Sequence, residues 1–314
     1  MLNAIGVDIG GGSTKIGLVS PQGEVLERSR IEAVESETGD AFLARLDAAL
    51  LALLARGAVS GIGIGYPGPV HPGNMSGGIG NVPGLIDYPL AQAITSRLGL
   101  PARMENDATA AALAEVRFGA GQGSARMLMV TAGTGIGVAM ILDGSALVTS
   151  GGCLGDAGHI IVDGGSSRRC RLGCTGCLEA LASSEALDDL VAHHAARHPQ
   201  GELARHAIID HTGANAALLI WCALAGDAQS QVLLAEAGSW IGRAVASWVH
   251  TFAPDIVVIG GGLSAAGAFL LMPIFAEVRR CGLPSYTANL RIVPAARGND
   301  AGIIGAASQF LRRD

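Results

Sequence analysis

Charge is scarce in this chain. Only 15% of its 314 residues are Asp, Glu, Lys or Arg, against 49% hydrophobic ones. Such a balance excludes a disordered chain, and the length is that of two ordinary domains with well-filled cores. Basic residues are scarcer than acidic ones, 21 against 27, for a formal net charge of −6. Nucleic-acid binding needs clustered Lys and Arg to neutralise phosphates. The pairs Arg168-Arg169 and Arg279-Arg280 are short and scattered, so no nucleic-acid partner is expected. Long apolar runs are missing too, since none reaches the roughly 18–20 uninterrupted residues of a membrane span. The start, Met1-Leu2-Asn3-Ala4-Ile5-Gly6-Val7-Asp8, has no basic n-region and an Asp in its apolar run, unlike a signal peptide. Six cysteines are too few for a disulfide scaffold. Three of them fall within 170–177, which favours metal or redox chemistry in a reducing compartment. A cytoplasmic location and no membrane partner are expected.

Two common nucleotide motifs are also lacking. No G-x-x-x-x-G-K-[ST] loop occurs. Gly10-Gly11-Gly12 would have to open a helix to serve as a dinucleotide fingerprint, yet Lys15-Ile16-Gly17-Leu18-Val19 follows, a β-like run.

What the chain has in abundance is glycine, at 46 positions, about twice the usual share. The glycines cluster between apolar runs, where backbone turns or approaches something closely. Ala4–Ile9, Lys15–Val19 and Glu24–Arg30 read as a β-meander. The spacing then predicts a helix over 41–55, a strand over 59–65, a helix over 90–98, a strand over 102–105 and a helix over 107–118. The pattern restarts with strands over 127–131 and 136–142 around the turn Ala132–Gly135. Apolar strand, Gly/Thr turn, apolar strand occurs in both places, which suggests two related halves. Helices are expected over 178–182, 184–196, 214–225, 228–252, 266–280 and 303–311, with strands over 255–259 and 290–293. The mixed order indicates an α/β protein.

The chemistry-bearing residues fall at the turns. The first hairpin offers free backbone N–H groups and the Thr14 hydroxyl, a concavity suited to phosphate oxygens, though a plain tight hairpin has the same pattern. Gly260-Gly261-Gly262 follows the apolar run Ile256–Ile259, where a ligand can sit at a strand's carboxyl end. Glu105-Asn106-Asp107 stands at a strand-to-helix junction. An Asp there feels the positive end of the helix dipole and can accept a substrate proton, or simply cap the helix. His159, Cys170, Cys174 and Cys177 supply one imidazole and three thiols, a set suited to structural zinc, with a redox pair or unligated thiols as alternatives.

Together these stretches resemble the sugar kinases of the ROK family, within the actin-like ATPase (ribonuclease H-like) fold. The matching segments are Asp8–Lys15, Gly65–Val70, Glu105–Glu115, Gly133–Gly137, Gly155–Glu179, Val258–Leu263 and Ala301–Ala307. The resemblance implies a two-domain α/β protein with an interdomain cleft. One domain would comprise residues 1–115 plus 300–314, the other 116–299. It implies an ATP-dependent kinase acting on a hexose-like hydroxyl, the 6-hydroxyl of glucose or a related aldohexose, with Asp107 as general base. The phosphates would be clasped by Gly10, Gly11, Gly12, Thr14 and Lys15 and by Gly133, Thr134 and Gly135. Asp8 would orient hydrated Mg²⁺, and Gly261 and Gly262 would face the adenosine. Sugar-side positions would be Gly68, Asn81, Asn106, Asp107, Asp156, His159 and Glu179, and the assembly a homodimer. N-acetylhexosamine kinases and polyphosphate-using glucokinases belong to the same family. A sugar-sensing repressor of this fold would carry an N-terminal helix-turn-helix of roughly 60–80 residues, whereas here the phosphate hairpin begins by residue 8. A sugar-binding protein without turnover is the remaining alternative, against which the intact Asp107 and both hairpins stand.

Three departures mark this chain. The first hairpin turn is two residues longer than the common family form, like the branch that includes polyphosphate-using enzymes. Asp156 replaces the family's Glu. Leu172 stands at the family's middle cysteine, so either Cys174 serves as third thiolate or zinc is weak or absent.

Overall fold

The computed structural model describes residues 2–34, 36–71, 75–76, 82–149, 154, 156–209 and 213–311. Its strands and α-helices, in chain order, begin with the meander β1 (Asn3–Ile9), β2 (Ser13–Val19) and β3 (Val25–Glu32). There follow α1 (Gly39–Leu54), β4 (Val59–Tyr66), the short pair β5 (Val70–His71) and β6 (Met75–Ser76), α2 (Leu90–Leu98), β7 (Ala102–Asn106) and α3 (Asp107–Phe118). A second set opens with β8 (Arg126–Ala132), β9 (Ile136–Leu142) and β10 (Ser145–Ala146). It continues through α4 (Leu178–Ala182), α5 (Ser184–Arg197), α6 (Glu202–Ile209), α7 (Ala216–Leu224) and α8 (Ala228–Phe252). The chain ends with β11 (Ile256–Gly260), α9 (Ala268–Cys281), α10 (Pro284–Thr287), β12 (Arg291–Pro294) and α11 (Ala301–Ser308).

Two compact units result. One contains 1–129, 139–155 and 296–314; the other contains 130–138 and 156–295. The two five-stranded sheets have the orders β3-β2-β1-β4-β7 and β10-β9-β8-β11-β12. Each places three consecutive strands side by side and then adds two strands beside the first. The self-similarity of the two Gly/Thr turns thus extends to a repeated topology. In the first sheet β1, β4 and β7 run parallel, while β2 runs antiparallel to β1 and β3 antiparallel to β2.

The first unit's core lies between this sheet, α1 and α2, with Ile5, Ile16, Leu43, Leu46, Leu50, Ile62, Ile64 and Ile94 fully buried. The other face of the sheet is covered by α11, which packs on β1, β4 and α3. Strand glycines permit this. A Cβ at Gly6 would run into the Ile303 carbonyl, and one at Gly63 into that of Ala306. Helix starts follow the expected chemistry. Asn106 caps α3 by accepting from Thr109 N at 3.1 Å, and Asp227 caps the 25-residue α8 by accepting from Ser230 N at 2.8 Å. No described helix is long and apolar enough to cross a membrane.

Candidate active site

Within the first unit, the parallel strands carry three positions in one row: Asp8 pairs with Gly65, and Gly65 with Glu105. Asn106 and Asp107 follow at the strand-to-helix junction. Asn106 is fixed from both sides, because Oδ1 caps α3 while Nδ2 donates to Gly68 O and Asp107 Oδ1, each at 3.2 Å. Asp107 accepts a further bond from Ala108 N at 2.7 Å. Part of Asp107 stays accessible, yet burial pushes its carboxyl up to about 7, with the negative charge of Asp8 as second cause. The Ala108 N–H and the Asn106 amide oppose the rise. Burial also raises Glu105, partly offset by its bond from Asn106 N.

Asp8 and Lys15 face each other across β1 and β2, with Lys15 Nζ 3.9 Å from Asp8 Oδ2. Burial raises the Asp8 carboxyl and Lys15 opposes that rise. Gly10 N closes the hairpin onto Ser13 O at 3.0 Å, leaving Gly11 and Gly12 exposed. Thr14 is placed differently from the expected turn hydroxyl. It already belongs to β2, and strand alternation turns it inward to 3% exposure. Residue 81 lies outside the described residues.

The second unit gathers the other glycine turns. Gly133 N bonds Gly135 O at 3.0 Å, and Gly133 O accepts Ser184 N at 2.7 Å. Gly261 has φ +83°, and a Cβ there would strike the backbone of Ala132. A Cβ on Gly133 would lie 4.0 Å from Gly262 N. The two turns therefore meet backbone to backbone, and Thr134, Gly261 and Gly262 remain exposed. Glu179 ties this hairpin down: its Oε2 accepts Ile136 N at 3.1 Å. Its Oε1 lies 3.8 Å from His159 Nε2. Asp156, exposed, precedes the short 3₁₀ turn Ala157–His159 and makes no capping bond.

His159 Nδ1 points the opposite way, into the thiols, at 3.6 Å from Cys170 Sγ, 3.6 Å from Cys174 Sγ and 3.8 Å from Cys177 Sγ. All four ligand atoms lie within 4.8 Å of one another. Tetrahedral zinc with ordinary bond lengths sets its N and S ligands about 3.5 Å apart. The cluster fits the ion, and Cys174 occupies the third thiol position while Leu172 is exposed.

Sequence reasoning gave no role to Gly302. A Cβ there would collide with the Asp8 carboxyl, so the start of α11 is packed directly on Asp8. The glycine in Ala301-Gly302-Ile303 was the available signal, but a contact across the whole chain cannot be read from it.

The ROK family model matches residues 4–313. A glucokinase of Thermotoga maritima is 32% identical over 316 residues, covering 99% of this chain and 98% of the relative. An N-acetylmannosamine kinase of Escherichia coli is 29% identical over 309 residues, covering 98% and 97%. The crystal structure of a ROK family glucokinase from Streptomyces griseus in complex with glucose and AMPPNP superposes with a TM-score of 0.85 at 29% identity, covering 98% and 99%. The chain belongs to the ROK family of sugar kinases and has their actin-like ATPase fold.

Proposed function

We propose that this sugar kinase transfers the γ-phosphoryl group of ATP to the 6-hydroxyl of glucose or a related aldohexose, with Asp107 as general base. The observation that carries the reading is the Asp107 carboxylate. It is held by Ala108 N and Asn106, partly accessible, and tuned to about 7, where it can take a proton at neutral pH. Transfer of a phosphoryl group demands mostly positioning and charge stabilisation. The first unit supplies Asp107 for the hydroxyl proton, Asn106 and Gly68 beside it, and the Gly10–Gly12 turn with Lys15 for phosphate oxygens. Asp8 has the hard oxygen donor that would hold hydrated Mg²⁺, which supplies charge neutralisation on the phosphates when bound. The second unit supplies Gly133, Thr134 and Gly135 for phosphates, Gly261 and Gly262 for adenosine, and Asp156, His159 and Glu179 for sugar hydroxyls. His159, Cys170, Cys174 and Cys177 would hold Zn²⁺, whose contribution is structural cross-linking of the loop.

ADP release with Mg-ATP, measured against hexoses, amino sugars, N-acetylated sugars and cyclitols, tests the assignment. Glucose or a close aldohexose is expected to give kcat/KM near 10⁴ M⁻¹s⁻¹ or above, on the order of an ordinary enzyme. A preference for N-acetylmannosamine would replace the sugar and keep the chemistry. Asp156 favours keeping that second reading in the panel, because its carboxylate reaches one methylene less far than Glu and leaves room for a bulkier substituent. The longer first turn favours including polyphosphate, by direct detection of sugar phosphate.

The homodimer belongs to the same proposal. Trp221 and Leu224, one turn apart on α7, are 51% and 60% exposed, and Val232 on α8 is 60% exposed. A contiguous exposed apolar patch marks a contact surface, and Trp221 and Leu224 are neighbours at i, i+3 on α7. Trp221→Glu is expected to convert a dimer to a monomer in multi-angle light scattering; a wild-type monomer, or a dimeric variant, would remove the interface from α7.

A further inference from the structure

α3 carries Asp107 at its first turn and a second acid, Glu115, two turns later. Glu115 is fully buried, at 0% exposure. Its partners are all backbone N–H groups: Oε1 accepts Arg297 N at 2.7 Å, and Oε2 accepts Ala296 N at 3.1 Å and Ala120 N at 2.8 Å. Buried carboxylates are tolerated only with such complete satisfaction. The grip lies where the chain enters the first unit for the last time, at Ala296.

The segment from 296 onward is then fastened along its length. Arg297 donates through Nε to Phe118 O at 2.6 Å. Asn299 O accepts Lys15 Nζ at 3.4 Å. Asp300 takes both ends of the Arg28 guanidinium, at 3.2 and 2.6 Å. Gly302 lies directly against the Asp8 carboxyl. A continuous strap therefore runs from the end of α3 to the β1–β2 hairpin, touching both of its charged residues.

We propose that Glu115 is a positioning residue for the phosphate side of the reaction: it anchors the strap 296–302, which sets Asp8 and Lys15 against the nucleotide phosphates. Glu115 touches no substrate and acts through the strap alone. A Gln at this position turns an amide NH₂ toward backbone donors and leaves at least one of them orphaned. The strap loosens at its anchor while the rest of the sheet stays packed. The inference rests on the assignment of Asp8 and Lys15 to the phosphates, so the test carries a control for that assignment.

Three variants are compared: Glu115→Gln, Gly302→Ala and Lys15→Met. Gly302→Ala disturbs the far end of the strap and leaves every Glu115 bond in place. Expected for Glu115→Gln and Gly302→Ala is a KM for Mg-ATP raised about tenfold, with sugar affinity by calorimetry within about twofold of wild type. A merely structural role would lower the melting temperature and weaken both substrates together, or neither. Lys15→Met is expected to raise the Mg-ATP KM as well. If it does so while the other two leave that KM unchanged, the strap proposal falls alone. If Lys15→Met is silent, the phosphate assignment falls and takes the proposal with it. Should Glu115→Gln fail to fold, Glu115→Asp takes its place, since it keeps the charge and falls one methylene short of the Ala296 and Arg297 N–H groups; an unchanged Mg-ATP KM in that variant overturns the proposal.

Discussion

Asp107→Asn is expected to fold, to hold sugar about as well as the parent, and to lose turnover by about 10²–10⁴-fold, the range a positioned general base supplies. Asn keeps the size of the side chain and an oxygen that can accept from Ala108 N, now at 2.7 Å. It removes the negative charge and with it the basic electron pair. Near-normal kcat in that variant would dismiss Asp107 as the base. The same carboxyl sets a pH dependence. A base must be ionised to act, and this group is pushed up to about 7 by burial first and by Asp8 second. kcat/KM should therefore climb with pH and level off above about 7. Asp8→Asn removes the second cause and should move that acid limb to lower pH, whatever it does to the plateau.

Stability should respond with the opposite sign. A carboxyl whose folded pKa lies above its ordinary value of 3.8 binds its proton more tightly in the folded state. Its stabilising contribution is complete below the ordinary value and is lost as pH rises through about 7. At pH 8 the parent carries an ionised, poorly solvated Asp107, and the Asn variant does not. Asp107→Asn should then be the more stable protein at pH 8, by at most about 4 kcal/mol for a rise of about three pK units at ~1.36 kcal/mol each, and by less because the side chain is partly accessible and solvent screens its charge. The gain should shrink as pH falls below 7. Calorimetric melting of both proteins at pH 5 and pH 8 reads this directly, and a variant less stable at pH 8 would contradict the burial of the charge.

The turns and most elements were legible because their signals are local. Apolar runs on either side of Gly10–Gly12 and Gly133–Gly135 specify strand, turn and strand from nearby positions alone. Asn106 before the alanine run of α3 specifies a capped helix. α6 and α10 were not foreseen: the first is a short stretch bearing Glu202, Arg205 and His206, the second a four-residue helix after Leu283. The last helix starts two residues earlier than its apolar spacing suggested, because Asp300 and Ala301 already adopt helical backbone angles. What was hidden is long-range. Glu179 reaches Ile136 across 43 positions and Glu115 reaches Ala296 across 181, and neither bond leaves a trace in spacing. The third thiol is intermediate: sequence narrowed it to Cys174 or none, and only the loop geometry brings Cys174 to His159.

Removing that thiol cluster's deepest member should have the other large effect. The loop 160–177 contains no helix and only two isolated bridges, Ile161–Cys177 and Arg169–Thr175. A connection of this length without regular structure needs another source of order, and zinc held by His159, Cys170, Cys174 and Cys177 would supply one. Cys177 is fully buried, and its Sγ also caps α4 by accepting Ala180 N at 3.4 Å. Protein purified without chelator is expected to contain close to one equivalent of zinc. Cys177→Ser should retain less than about a tenth of that and lose several kcal/mol, since metal binding free energy is folding free energy in such sites. Leu172→Cys should leave zinc content unchanged, because Cys174 already fills the third position; Cys174→Ser should deplete it. With the ion gone, His159 loses the ligand that fixes its ring, and Nε2 no longer faces Glu179 in a set orientation. Glu179 in turn holds Ile136 at the foot of the Gly133–Gly135 turn. Zinc loss is therefore expected to raise the KM for both sugar and nucleotide, which separates it from the strap variants at Glu115 and Gly302, where the nucleotide alone is affected. Full activity and melting temperature in zinc-free protein would reject a structural metal and leave the three cysteines as packed thiols.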